Sequence, residues 1–550
     1  MLDELTNQHW DAIIVGTGIG GATLGHALAK AGKRVLFCEK GKFQGATTAF
    51  RGHYPEEQFD SPSVPQPIHR PLLADAGRNW EIIEDRSLPK RKNYVPFIGA
   101  GTGGSSALYG MALERFFPED FSPRANHPTA TDSSLPEAWP ITYQDLAPFY
   151  DEAEKLYRVR GGADPLRDKH FSPAYQEPPP LTPGGQDLFG FLKKQGHHPY
   201  RLPLACEFKE GCSCCQGYLC PLQCKNESNR ICLIPALEEF GAQLLDECQV
   251  IRLEATATEV TGVVCRRGDK AFTLKGKIVV LAAGALYTPG ILLNSASLLW
   301  PQGIANHSGM VGRNLMRHYV DLHLLKPKKR EGLDSRFKEL AFNDFYFSDK
   351  GKLGSVQSFG ALPPPTLLAE SLGHDLRQGP LPFVGIFYRI FQPIVRKFLA
   401  TMLSQRLILA SMVEDLPYAD NRVEVDKSTG QLYFYYHIHP GEMSRIMQMR
   451  MKMQHLFKPY NPMLIRQAEN NERLAHVCGT CRFGTDPASS VLDANNRAHG
   501  VDNLYVVDAS FFPSSGGINP GLTIAANALR VARNIQALCQ DEQIAKSFNN

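Results

Sequence analysis

Two residues near the C-terminus have the types and setting for proton chemistry. His476 opens the stretch His-Val-Cys-Gly-Thr, and Asn519 opens Asn-Pro-Gly-Leu-Thr. A histidine suits a general base, because its unperturbed pKa of about 6.5 leaves much of it neutral at working pH. An asparagine amide donates to an oxygen without competing for its proton. Between them, Leu504-Tyr-Val-Val-Asp508 is an apolar run ending on an acid, the pattern of a buried strand. Such a segment needs a redox group to act on. Cys478 and Cys481 overlap it as a C-x-x-C, read either as two packed thiols or as a redox disulfide.

The N-terminus supplies the elements that hold a redox cofactor. Asp11-Ala-Ile-Ile-Val15 reads as a buried strand, Gly16-Thr-Gly18-Ile-Gly-Gly21 as a turn, and Ala22 to Ala31 as a helix. A second strand, Arg34 to Cys38, ends on Glu39. Gly16 permits the tight turn, and Gly18 lets the backbone approach a pyrophosphate. Gly21 allows close helix–strand packing, and the helix N-terminus favours the anion. Glu39 is placed to accept from ribose hydroxyls. The motif alone leaves FAD and NAD open. A second Gly-rich loop, Gly99 to Ser106, is flanked by apolar residues and suits a ligand that lies close to backbone. Val279 to Ser295 reads as a strand, a turn at Gly284 and a helix near Pro289.

Size and composition bound the rest. A chain of 550 residues is too long for one compact core, so two lobes are expected. A formal charge of +3 gives no reason to expect nucleic acid. No apolar run reaches the length of a spanning helix, and Met1 to Trp10 lacks a signal-peptide core, so a soluble, cytoplasmic protein is expected. Seven of the 13 cysteines lie between Cys206 and Cys232. Such clustering is read three ways: an iron–sulfur site, a zinc site, or structural thiols and disulfides. Apolar residues from Phe387 to Leu403 repeat at helical spacing, with Arg389, Arg396, Lys397 and Arg406 off that face. This stretch, 386–406, is either a core-facing helix or a peripheral membrane contact that admits an apolar substrate.

Taken together, the motifs resemble the glucose-methanol-choline (GMC) oxidoreductases. The matches are the N-terminal GxGxxG with Glu39, then Gly103-Gly104-Ser105-Ser106, then Gly284 to Ser295. His476-x-x-Gly479-Thr480, Val507-Asp508-Ala-Ser510-x-x-Pro513 and Asn519-Pro-x-x-Thr523 complete them, in the family's order. Tyr109 and Ala296 depart from the family pattern. The resemblance implies FAD and the oxidation of an alcohol to a carbonyl by hydride transfer to flavin N5. It carries the base onto His476 and its partner onto Asn519. FAD contacts carry onto Gly16, Gly18, Gly21, Glu39, Gly103, Gly104, Ser105, Ser106, Gly284, Asp508 and Gly517. The implied fold is α/β: a Rossmann-like FAD domain (1–130, 225–315, 472–550) and a discontinuous substrate domain (131–224, 316–471) on an antiparallel sheet. Cys214, Cys215, Cys220 and Cys224 are similar to the iron–sulfur segment of bacterial GMC glucose dehydrogenases, where a cluster relays flavin electrons. The expected activity is that of a dehydrogenase of a lipophilic or aromatic alcohol. The alternatives are a sugar or polyol dehydrogenase with an iron–sulfur relay, a non-redox or light-driven enzyme on the same scaffold, and an electron-transfer or assembly subunit. The electron acceptor is left open.

Overall fold

The computed structural model describes residues 2–45, 50–59, 65–168, 171–327, 338–348, 351–378, 382–403 and 406–548. The centre of its largest sheet is built from short apolar runs, the pattern of a parallel sheet covered on both faces. Val35–Cys38 and Leu504–Val506 are buried along their whole length. The parallel core runs in the order Gln243–Leu245, Val35–Cys38, His9–Val15, then the C-terminal half of Lys270–Leu281, then Leu504–Val506. The N-terminal half of Lys270–Leu281 pairs antiparallel with Val260–Arg267, which pairs with Gln249–Ala255. Ile19–Lys30 and the long C-terminal helix Gly521–Phe548 pack together beside this sheet.

One consequence of the parallel order positions the chemistry. Val15, Cys38, Leu281 and Val506 end adjacent strands that run in one direction. The residues that follow them therefore gather at one edge: the turn from Gly16, Glu39, Gly284 and Asp508. Ligands of open α/β sheets bind at that carboxyl edge.

A six-stranded antiparallel sheet forms the second layer. Its order is Met463–Ile465, Tyr319–Leu325, Leu407–Val413, Val356–Ser358, Leu340–Phe342 and Tyr200–Arg201. This is the antiparallel sheet expected of the substrate lobe. A four-stranded sheet joins Ile83–Asp85 and Lys92–Tyr94 to Arg422–Val425 and Leu432–Tyr435. It links segments that the motif order places in different lobes. The strand Leu432–Tyr435 ends short of His439, which stacks on Tyr418 with ring centroids 3.5 Å apart.

Candidate active site

His476 is held where the two layers meet. Met316 and Cys478 exchange both backbone hydrogen bonds, at 3.0 and 2.9 Å, and the His318 N–H donates to the Ala475 carbonyl. This antiparallel register puts residue 318 opposite residue 476, the spacing at which cross-strand side chains meet. The Nδ1 atoms of His318 and His476 are 2.8 Å apart, with the rings nearly perpendicular. His476 has φ +57°, a left-handed conformation that costs a non-glycine residue about 1–2 kcal/mol. The bridge to 316–318 holds it there. Gly479 follows with φ +91°, and a Cβ there would meet the Asn314 carbonyl oxygen at 2.4 Å. Thr480 donates to the Ala285 carbonyl at 2.7 Å, beside Gly284. The spacing of His-x-x-Gly-Thr thus has a mechanical meaning: a presented imidazole, a close backbone approach, and an anchor on the nucleotide sheet.

Asn519 lies just before the helix Gly521–Phe548, with its Nδ2 3.4 Å from His476 Nε2. Its Oδ1 is buried and has no hydrogen-bond partner among the described residues. An unpaired buried amide oxygen beside an imidazole nitrogen is a site that awaits a polar ligand. By accessible surface His476 is half-buried, yet dense protein surrounds the ring. Burial, the neighbouring His318 and the Lys338 ammonium lower its pKa well below 6.5. The imidazole is therefore neutral at physiological pH, the state a base requires. Lys338 is itself fully packed, and burial pushes it down to about 8.

At the carboxyl edge, Gly18 is the N-cap of Ile19–Lys30, with no side-chain cap and no acid in the first turn. Nothing lies within 4 Å of where its Cβ would be, whereas a Cβ on Gly16 would meet the Ala282 oxygen at 2.4 Å and one on Gly21 the Gly16 oxygen at 2.2 Å. Open space at an uncapped helix N-terminus fits a pyrophosphate. Gly284 has φ +87° and is also open. Gly103 and Gly104 sit over the first turn: the Gly103 N–H donates to Thr17 Oγ1, and a Cβ on Gly104 would lie 3.1 Å from Gly18 Cα. Ser106 donates to the Gly103 carbonyl, and Ser105 Oγ accepts from the Gly99 N–H. Glu39 accepts from the Thr17 hydroxyl at 2.7 Å and from the Thr17 and Gly41 N–H groups. A carboxylate has about four acceptor positions, so capacity remains for a ribose hydroxyl. These residues fit a dinucleotide.

Two of the expected contacts also tie parts of the protein together. Asp508 accepts from the Gly284 N–H, the Thr288 hydroxyl and the Ser510 N–H, tying the two strand ends together. Gly517 donates its N–H to the Tyr346 hydroxyl at 2.9 Å. His318 and Lys338 carry no signal in the sequence, because each acts through a partner remote along the chain.

The cysteine segment is arranged differently from the expected set. Cys206, Cys212 and Cys214 converge, their sulfurs all within 4.8 Å of one another. Cys214 has φ +47°, which turns the chain between two consecutive cysteines. Cys215 then falls against Cys220, whose sulfur accepts from the Cys224 N–H. Among the described residues, Cys214, Cys215, Cys220 and Cys224 thus divide between two neighbouring groups and do not form one set within 4.8 Å. Cys478 and Cys481 are buried free thiols whose pKa burial raises, so neither is a poised thiolate.

The chain matches the family profiles described as GMC oxidoreductase over residues 192–320 and 417–528, and an NAD(P)-binding Rossmann-like domain over 14–63. It is 29% identical to 6'''-hydroxyparomomycin C oxidase of Streptomyces lividus, covering 96% of this chain and 91% of that one. It is 26% identical to 2-methyl-1,2-propanediol dehydrogenase of Mycolicibacterium austroafricanum, covering 96% of each. Among solved structures, pyridoxine 4-oxidase from Mesorbium loti superposes with a TM-score of 0.61 at 18% identity, over 96% of this chain and 99% of that one.

Proposed function

The chain belongs to the GMC oxidoreductase family, and from that premise we propose that it binds FAD at the carboxyl edge and oxidises the CH–OH group of a small hydroxylated molecule, with His476 as base. The observation that carries this reading is the pairing at one point of a neutral His476 with Asn519, whose Nδ2 lies 3.4 Å from the imidazole Nε2 and whose buried Oδ1 has no partner among the described residues. When bound, FAD supplies the acceptor for the hydride that leaves the substrate carbon. The chain's own residues handle the proton and the oxygen. His476 Nε2 takes the hydroxyl proton, and Asn519 Nδ2 holds the oxygen as the carbonyl forms. Gly16, Gly18, Gly103 and Gly104 hold the cofactor by close backbone approach, and Glu39 accepts from its ribose. The named relatives act on hydroxyparomomycin C and 2-methyl-1,2-propanediol, which favours a polyhydroxylated substrate; the lipophilic or aromatic alcohol stays as the competing class. The test is anaerobic bleaching of the purified holoenzyme by a panel of amino sugars, 1,2-diols, sugars, long-chain alcohols and aryl alcohols. Bleaching by none would remove the alcohol-oxidising reading.

A specific observation favours a metal at the cysteine segment. Lys225 and Lys338 are buried ammonium groups, each pushed down to about 8 by burial, and neither forms a salt bridge with a carboxylate among the described residues. Both feel the sulfurs: Lys225 those of Cys215 and Cys220, beside the Glu227 carboxylate and two carbonyls it donates to, and Lys338 that of Cys214. Buried cations need nearby negative charge, and metal-bound thiolates provide it. The expected result is a stoichiometric metal in anaerobically purified protein, with acid-labile sulfide if the centre is iron–sulfur. Metal-free protein with one FAD per chain would make the thiols structural.

Among the described residues no helix is long and apolar enough to cross a membrane. The helix Pro382–Leu403 nevertheless leaves Ile390, Phe391, Ile394 and Phe398 57–70% exposed, with Arg396 and Lys397 exposed beside them. We assign this face to an anionic membrane surface. Wild-type protein is expected to sediment with phosphatidylglycerol vesicles. The pair Ile394→Glu and Phe398→Glu should weaken that binding by roughly tenfold or more per residue, from the loss of side-chain burial. Wild-type protein that stays in the supernatant would refute the assignment.

A further inference from the structure

His476 lies on a second histidine whose surroundings leave it one protonation pattern. His318 is buried, with 2% exposure, and its Nε2 faces two carbonyl oxygens, Gly516 at 2.9 Å and Ser515 at 3.2 Å. A carbonyl only accepts, so His318 Nε2 carries the proton. The ring's other nitrogen, Nδ1, is then a bare acceptor in the neutral imidazole, and it lies 2.8 Å from His476 Nδ1. That contact is a hydrogen bond only if His476 donates from Nδ1. A neutral His476 with its proton on Nδ1 has an unprotonated Nε2, the nitrogen that faces Asn519.

We propose that His318 is the positioning residue of the reaction: it holds His476 in the Nδ1–H tautomer and so aims the basic lone pair of Nε2 at the substrate hydroxyl. The inference rests on the reading of His476 as the base. When Nε2 takes the proton, the imidazolium keeps its Nδ1–H on His318, and that hydrogen bond becomes charge-assisted and stronger. No second proton moves. The support beneath His318 is built for rigidity. Gly516 has φ +65°, and the Ser515 hydroxyl donates to the Asp415 carbonyl while accepting from the Asp415 N–H. Asp415 in turn accepts from the Tyr319 and Tyr436 hydroxyls and from the Arg317 N–H. The charges that face the two rings are Glu414 and Lys352 at His318, which are paired with each other at 2.9 Å, and Lys338 at His476. Neither net charge nor a carboxylate partner therefore orients His476; a neutral ring does.

The test uses the holoenzyme and three variants. Gln has both an acceptor and a donor amide and can replace both ring nitrogens; Leu has neither. His318→Leu is expected to slow anaerobic flavin reduction roughly 10- to 100-fold, the worth of one hydrogen bond to a charged group, with little change in substrate dissociation constant. His318→Gln should stay within a few-fold of wild type. Nitrogen-15 spectra of histidine-labelled wild type should show His476 protonated on Nδ1 and His318 on Nε2, and His318→Leu should mix the His476 tautomers. A wild-type His476 protonated on Nε2, or a His318→Leu variant as fast as wild type while His476→Ala is slow, overturns the proposal and leaves the base in place. A fast His476→Ala variant overturns the base reading itself, and His318 falls with it. If His318→Leu loses FAD on folding, the Gln variant and the wild-type spectra still decide.

Discussion

His476→Ala is expected to reduce its bound FAD 10²- to 10⁴-fold more slowly than wild type at saturating alcohol, about the worth of a positioned general base. The pH dependence carries a sign. A base works when unprotonated, and burial, His318 and Lys338 lower the pKa of His476 well below 6.5. The wild-type rate is therefore full and flat from pH 6.5 upward, and falls only as acid protonates the ring through its lowered pKa. The sequence alone, with an unperturbed histidine, places that fall near 6.5. The two cases separate in rapid-mixing reduction traces between pH 5 and 8. A normal reduction rate in His476→Ala would remove this residue from the chemistry.

Gly18→Asp should strip the FAD without harming the protein that holds it. Gly18 has φ −65° and ψ −175°, open to any residue, and nothing lies within 4 Å of its missing Cβ. Asp is also a favourable N-cap, better than Gly by a few tenths of a kcal/mol for the helix Ile19–Lys30. Its carboxylate would occupy the space the pyrophosphate needs. Like charges about 4 Å apart repel by roughly 1–4 kcal/mol at intermediate dielectric, which is about five- to several-hundred-fold in affinity. The readouts are FAD per chain after gel filtration and the thermal midpoint of the apoprotein. Gly20→Ala is the contrasting case: its Cβ would meet the Val507 carbonyl oxygen at 2.1 Å, so the apoprotein itself should lose stability. Wild-type FAD affinity in Gly18→Asp would place the cofactor elsewhere.

Much of this was legible from residues in a row. The turn Gly16 to Gly21 and the strand ending on Glu39 depend on local backbone demands, and their alternation of strand, turn and helix shows in a short window. The antiparallel second sheet followed from the family resemblance, not from periodicity. The face around Ile394 read as amphipathic, but whether it met the core or solvent was not legible, because the period of a helix does not say what lies beside it.

The sequence by itself determined the cofactor turn, the identity of the candidate base and its amide partner, and the reaction class they resemble. These rest on residue type and short spacing, which chain connectivity enforces directly. Only the tertiary structure brought His318, 158 residues away, within 2.8 Å of His476 Nδ1, and surrounded that imidazole with the burial, the second ring and the Lys338 ammonium that lower its pKa. It also decided that Asp508 ties strands together, and that Cys214 turns from Cys215 toward Cys206 and Cys212. Those outcomes are set by which remote backbone segments pair. Register, burial and local charge exist only once the sheets have closed.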